Sequence, residues 1–193
     1  GLSDGVGVEG VAMLDGAKAT FCLSSQAGCA VGCTFCTTGI FGAGRNLLPE
    51  EIVGQYRLML RQLDPAVERV NIVFMGMGEP LANYTNVIEA LNTLTHTEAG
   101  FAFAGRRITL STAGLVPKLL QLGEESNVNV AISLNATDNR TRDFLMPINR
   151  TYPIEKLLAA CRRYPLKPHR RITFEYILIK GVNDSAADAR RLA

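Results

Sequence analysis

Cys29, Cys33 and Cys36 lie within one stretch of eight residues, and their thiols are well suited to hold a metal. The spacing Cys-x3-Cys-x2-Cys brings three sulfur ligands onto one short loop, and Gly28 and Gly32 let the backbone fold around what they bind. Three thiolates on a four-iron cluster leave one iron open, as catalytic metal sites generally require. Zinc is the competing reading. It normally takes a fourth protein ligand, and both histidines, His96 and His169, are far from the loop in sequence; Cys22 could complete an all-cysteine site. The spacing, together with a position just after a strand, favours a [4Fe–4S] cluster. The chain has five cysteines, an odd number with three crowded together, which suits a metal site in a reducing compartment better than secreted disulfides.

Such a loop has to be positioned by regular elements. Residues 6–14 and 20–24 read as β segments joined by a turn at Asp15-Gly16. From there strands over 69–75, 107–111, 128–134 and 171–179 alternate with helices over 49–63, 83–95, 116–123 and 154–164. Pro49 followed by Glu50-Glu51 is a good helix start, because proline presets φ and the acids meet the positive end of the dipole. Alternation with short links means an α/β fold of parallel strands and right-handed crossovers. The pattern predicts a partial (β/α) barrel preceded by a short β-hairpin, its last βα unit truncated at Ala193; a doubly wound open sheet is the alternative.

In both architectures ligands bind at the carboxyl ends of the strands. The cysteine loop follows the first strand and Gly76-Met77-Gly78-Glu79-Pro80 follows the second. Ser111-Thr112-Ala113-Gly114 and Ser133-Leu134-Asn135-Ala136 close the next two. Four strand ends with small or polar residues predict one shared pocket.

The 193 residues, 47% hydrophobic and 20% charged, describe an ordinary globular domain with a sizeable core. No apolar run approaches a membrane span and no signal-peptide pattern opens the chain, so the expected setting is cytoplasmic, without a membrane partner. A net charge of +2 does not announce nucleic acid, and the pairs Arg106-Arg107, Arg162-Arg163 and Arg170-Arg171 read first as solvated element ends. The opening without methionine and the close on Arg190-Arg191-Leu192-Ala193 read as a fragment of a longer protein.

The cysteine spacing resembles the signature of the radical S-adenosylmethionine (SAM) superfamily, with Phe35 as its usual aromatic. That resemblance implies that SAM binds the open iron, and that Gly78-Glu79-Pro80 serves its amino group. Further runs are similar to the RlmN family: residues 22–29, Arg45-Asn46-Leu47, residues 51–55, residues 75–81, Ser111-Thr112-Ala113-Gly114, Pro147-Ile148-Asn149, Phe174-Glu175-Tyr176 and Gly181-Val182-Asn183-Asp184. The likeness covers nearly the whole chain.

It implies methylation of carbon 2 of adenine in 23S rRNA and tRNA, with a flavodoxin-type electron donor. Two SAM molecules serve the reaction, which passes through a methyl-carrying cysteine beyond Ala193. Glu9 takes the place of the general base, whereas read alone it is an exposed hairpin glutamate. Cys22 takes the place of the cysteine that forms a disulfide with the methyl carrier; read alone it is a buried strand thiol, and Cys161, on a helical stretch, reads as a buried thiol as well. Ser111, Ser133 and Leu134 take the places of SAM contacts, and Asn135 stands where the family usually has histidine, which puts the fine contacts there in question. An N-terminal helical RNA-binding domain and a C-terminal segment are implied outside residues 1–193, so the fragment alone is not expected to methylate RNA. Cfr-type carbon-8 methyltransferases share most of these motifs, and a non-catalytic metal- or RNA-binding module with a structural zinc is the alternative from another class.

Overall fold

The computed structural model describes residues 2–193. Its strands are β1 (Val11–Asp15), β2 (Lys18–Cys22), β3 (Gln26–Ala27), β4 (Arg45–Asn46), β5 (Arg69–Phe74), β6 (Ile108–Thr112), β7 (Asn129–Ser133) and β8 (Ile172–Glu175). The helices are α1 (Thr37–Phe41), α2 (Pro49–Arg61), α3 (Tyr84–Thr95), α4 (Val116–Glu125), α5 (Asn139–Leu145), α6 (Ile154–Arg163) and α7 (Ala186–Leu192). Among the described residues no helix is long and apolar enough to cross a membrane.

The main sheet runs β1-β2-β5-β6-β7-β8, with β1 antiparallel to β2 and every later neighbour parallel. Spatial order follows chain order without the reversal of a doubly wound sheet. Right-handed crossovers in this order put the helices on one face, which is how a (β/α) barrel wall is wound. β1 and β8 form the two edges, so the wall is open.

Alternation along the strands decides what each face does. On one face Phe21, Ile72, Phe74, Ile108, Leu110, Val130 and Ile132 are all at most 1% exposed and belong to the core. Ile52 and Tyr56 of α2, Leu91 and Leu94 of α3, Leu119 and Leu122 of α4 and Leu157 of α6 join the same cluster. Strand register puts Thr20, Cys22, Asn71, Val73, Thr109, Ser111, Ala131, Ser133, Thr173 and Glu175 on the opposite face. These side chains are small or polar. They line the concave side of the wall.

Three differences from the sequence expectation bear on the site. The hairpin begins at Val11 and not at Val6, because Val11 pairs with Cys22 and the chain beyond Cys22 turns into the cysteine loop, leaving residues 6–10 no partner strand. Their polar groups go elsewhere: Ser24 Oγ donates to the Glu9 carbonyl at 2.6 Å, and the Glu9 amide faces Met77 Sδ at 3.4 Å. β8 ends at Glu175, four residues before the expected Ile179, because side-chain amides intercept the backbone donors. Ile177 N–H donates to Asn135 Oδ1 at 2.9 Å and Ile179 N–H to Asn183 Oδ1 at 2.7 Å. The sequence also gave no sign of α5, a short helix capped by Asp138, whose carboxylate accepts from Thr141 N–H at 2.9 Å.

α5 carries Arg142, a fully buried guanidinium. It donates to the carbonyls of Leu134 (3.0 Å), Ala113 (2.9 Å) and Ser133 (3.1 Å), and to Asn149 Oδ1 (3.0 Å). Parallel strands finish with carbonyls that no further strand satisfies, and here one side chain takes up three of them from the ends of β6 and β7. Burial lowers the Arg142 pKa to about 10, which still leaves it ionised at neutral pH.

Arg142→Met should therefore leave these carbonyls unpaired and cost about 3 kcal/mol. For a domain of this size that lowers the Tm by about 6–12 °C, measurable by circular dichroism, with an unchanged Tm counting against the assigned role.

Candidate functional site

After β2 the chain is held rigidly before it reaches the cysteines. The backbone of Ser24 is gripped from both sides by Gln55 of α2, its N–H donating to Oε1 at 2.9 Å and its carbonyl accepting from Nε2 at 3.0 Å. Asn83 Nδ2 bridges the carbonyls of Ser25 (2.8 Å) and Leu47 (2.7 Å), which fastens the two ends of the loop together. The pairs Gln26–Asn46 and Ala27–Arg45 then form a two-stranded ribbon, β3–β4, at the loop's base. Here glycine is obligatory: a Cβ on Gly44 would fall 1.4 Å from the Ala27 carbonyl, and Gly28 takes φ +126°. Cys29 N–H closes the loop on the Gly42 carbonyl at 2.8 Å.

Cys29, Cys33 and Cys36 all line one cavity of about 290 Å³ at the carboxyl ends of the strands. Its wall also includes Gly78, Glu79, Ser111, Thr112, Ser133, Asn135, Met146 and Glu175. Val31, Cys33 and Phe35 pack against an apolar patch of Ala113, Leu145 and Met146. Burial in this patch pushes the Cys33 thiol up to about 12, with the neighbouring sulfurs and Glu79 adding to the rise and Arg142 opposing it. Burial raises Cys29 as well. A bound metal would invert this preference, because coordination holds a thiol as thiolate.

The donor set fits a cluster better than a single ion. Among the described residues no three His, Cys, Asp or Glu side chains are gathered to hold one metal ion. Three thiols on one cavity wall suit a cluster, in which each thiolate binds a different iron.

The two carboxylates of the cavity are bonded differently. Glu79 is 4% exposed and already accepts from Leu81 N–H (3.0 Å), Thr112 Oγ1 (2.7 Å) and Ala113 N–H (2.7 Å). It fastens the loop after β5 to the end of β6, and burial raises its pKa against those three bonds. Gly78 takes φ +98°, and a Cβ there would sit 2.5 Å from the Cβ of Gln26. Glu175, at the end of β8, accepts through Oε2 from Ser111 Oγ and from Ser133 Oγ, the latter at 3.2 Å. Asn135 is 2% exposed with φ +56°, a left-handed conformation that asparagine tolerates better than most side chains. Its amide bonds Ile177 N–H and faces Met146 Sδ, so it organises the loop after β8 while lining the cavity.

The structure thus gathers Cys29, Cys33, Cys36, Gly78, Glu79, Ser111, Ser133 and Asn135 around one space. It does not bring Glu9, Cys22 or Leu134 to that wall. Glu9 is exposed, precedes β1 instead of lying in the hairpin, and lines a separate groove with Gly28, Thr37, Thr38, Phe41 and Met77. Cys22 sits on the concave face of β2, and Leu134 offers backbone only, to Arg142 and to the Glu175 carbonyl. All five cysteines are free, so the disulfide expected for Cys22 is not present; its implied partner lay beyond Ala193 and none of the other four replaces it. Glu175 and Arg142 were missed. A strand drawn four residues too long hid Glu175, although a polar strand-end residue was the very signal that found Ser111 and Ser133.

Residues 23–193 match the family described as the radical SAM superfamily. The chain is 58% identical over 191 residues to the dual-specificity RNA methyltransferase RlmN of Desulfosudis oleivorans, covering 99% of this chain and 52% of that protein. It is 55% identical over 192 residues to the protein of the same name from Syntrophobacter fumaroxidans, covering 100% of this chain and 56% of the relative. The crystal structure of a radical SAM methyltransferase from Sphaerobacter thermophilus superposes with a TM-score of 0.93 at 48% identity, over 98% of this chain and 56% of that one. The chain spans about half the length of the curated relatives it matches. A family match that runs from Leu23, just past the end of β2, through the cysteine loop to the last residue, and takes in every strand end that lines the cavity, shows that the chain belongs to the radical SAM superfamily.

Proposed function

We propose that these residues are the catalytic core of an RNA methyltransferase that acts on carbon 2 of adenine in 23S rRNA and tRNA. The observation that carries the reading is the convergence of three cysteines and four other strand-end segments on one cavity. The relatives named as dual-specificity RNA methyltransferases supply the reaction class. We place residues 1–193 in one catalytic unit, with an N-terminal helical domain and a C-terminal segment bearing the methyl-carrying cysteine outside it. RNA substrates and free thiols suit a cytoplasmic setting, with a flavodoxin-type electron donor.

In this reading Cys29, Cys33 and Cys36 hold a [4Fe–4S] cluster and leave one iron for SAM. When bound, that pair supplies a carbon radical, which an unactivated aromatic C–H position needs because it is a poor nucleophile. The chain's own residues bind and position. Gly78, with no side chain, lets the ligand approach the backbone, and Glu79 holds that segment against β6. Ser111, Ser133 and Asn135 line the ligand wall beside Leu134, whose carbonyl Arg142 keeps in place. The apolar patch of Val31, Phe35 and Met146 keeps water from the sulfurs. Glu9, in the groove on the other side of the cysteine loop, is the base for the adenine proton, and Cys22 is the thiol that resolves the protein–RNA adduct. An exposed carboxylate suits the first role, since it is reachable by a large substrate.

The test uses the full-length parent protein, kept anaerobic with SAM, a reductant and unmodified 23S rRNA or tRNA, followed by nucleoside mass spectrometry. 2-Methyladenosine is expected. 8-Methyladenosine would assign the Cfr-type position instead, and the absence of methylated adenosine from a SAM-cleaving preparation would remove the RNA reading.

A further inference from the structure

Glu175 is the one carboxylate of the cavity whose side-chain hydrogen bonds all come from other wall groups, Ser111 and Ser133. Register places it beside Ser133, and its side chain reaches back toward Ser111 past Ala131, whose methyl leaves the row open. Its backbone is fixed too, since the Glu175 carbonyl accepts from Leu134 N–H (3.0 Å) and Asn135 N–H (3.3 Å). A serine hydroxyl has one proton to donate and two lone pairs to offer. Ser111 and Ser133 both spend that proton on Glu175 Oε2. Their mutual separation of 3.4 Å makes a weaker bond than either makes to a charged acceptor.

We propose that Glu175 sets the hydrogen-bond polarity of the cavity: by taking both hydroxyl protons it makes this wall accept only, so that it binds an uncharged or cationic donor group and rejects an anion. Glu79 cannot do this, because two of its three donors are backbone N–H groups, which have no lone pairs to turn toward a ligand. The inference rests on the reading that SAM occupies the cavity. SAM offers two such donors, the ribose diol and the amino acid's ammonium group, and its carboxylate must then lie elsewhere. Glu175 is a positioning residue for the serines as well as a contact for the ligand.

Glu175→Gln tests this, because an amide keeps the shape but offers one acceptor oxygen beside an NH2 donor. The uncharged amide oxygen holds the two serine protons less strongly, and the NH2 puts a donor on the wall where the second carboxylate oxygen stood, so the wall loses its single polarity. SAM is titrated at equilibrium, without reductant, into the anaerobically reconstituted full-length protein and the variant, with cluster absorbance and Tm as controls. We expect SAM to bind about ten-fold more weakly to the variant. 5′-Deoxyadenosine and methionine, titrated separately, identify the donor: weakening confined to the first assigns the diol, and to the second the ammonium. Equal weakening of both marks a merely structural role and overturns the proposal, as does unchanged SAM affinity. If Glu175→Gln does not fold, the Ser111→Ala/Ser133→Ala double variant removes the same acceptors and should show the same selective loss; unchanged affinity there also overturns it. A parent protein that binds no SAM would instead bring down the functional reading on which the proposal stands.

Discussion

A charge with no access to water holds this site together. Arg142 is fully buried, and an ion in that position survives only if every part of it is hydrogen-bonded. Its guanidinium meets that demand with carbonyls from the ends of β6 and β7 and with Asn149, and so fixes two strand ends relative to α5. The same helix contributes Leu145 to the patch against which Cys33 and Phe35 pack. One residue therefore couples the carboxyl end of the sheet to the cysteine loop. Its positive charge also opposes the rise in the Cys33 pKa, which suits a site that must gather thiolates beside two carboxylates.

The cavity's anionic groups are kept apart by giving them separate duties. Glu79 is enclosed and spent on structure, while Glu175 remains at the wall and orders two hydroxyls. Asn135 and Asn183 do for the loop after β8 what Arg142 does for the strands. Asn183 Nδ2 donates to the carbonyls of Asn135 and Ile177, both at 2.8 Å, so that irregular backbone closes the cavity without unpaired groups. The Asn135 side chain is occupied within this network, which gives the departure from the family's usual histidine a structural use that needs no titratable group.

What could be read from the sequence followed from local requirements. Three thiols and two glycines on one short loop state their chemistry without any partner, and the alternation of apolar residues located the strands whose ends carry Ser111 and Ser133. Arg142 could not be read in the same way, since its acceptors at positions 113, 133 and 134 become neighbours only through sheet register. Glu175 was lost to a boundary: residues 176–179 carry strand-forming side chains, but Asn135 and Asn183 take their backbone donors and end β8 early. Glu9 was placed in the hairpin because residues 6–14 look continuous, whereas the strand that would pair with residues 6–10 turns away into the cysteine loop.

On the proposal that Cys29, Cys33 and Cys36 hold a cluster with one iron open to SAM, the whole functional reading stands. Electron paramagnetic resonance of the reduced, anaerobically reconstituted full-length protein, recorded with and without SAM, tests it most directly. The expected result is a [4Fe–4S] signal that changes when SAM is added and disappears when any of the three cysteines becomes alanine. A colourless protein carrying one zinc, or a cluster signal indifferent to SAM, would contradict it.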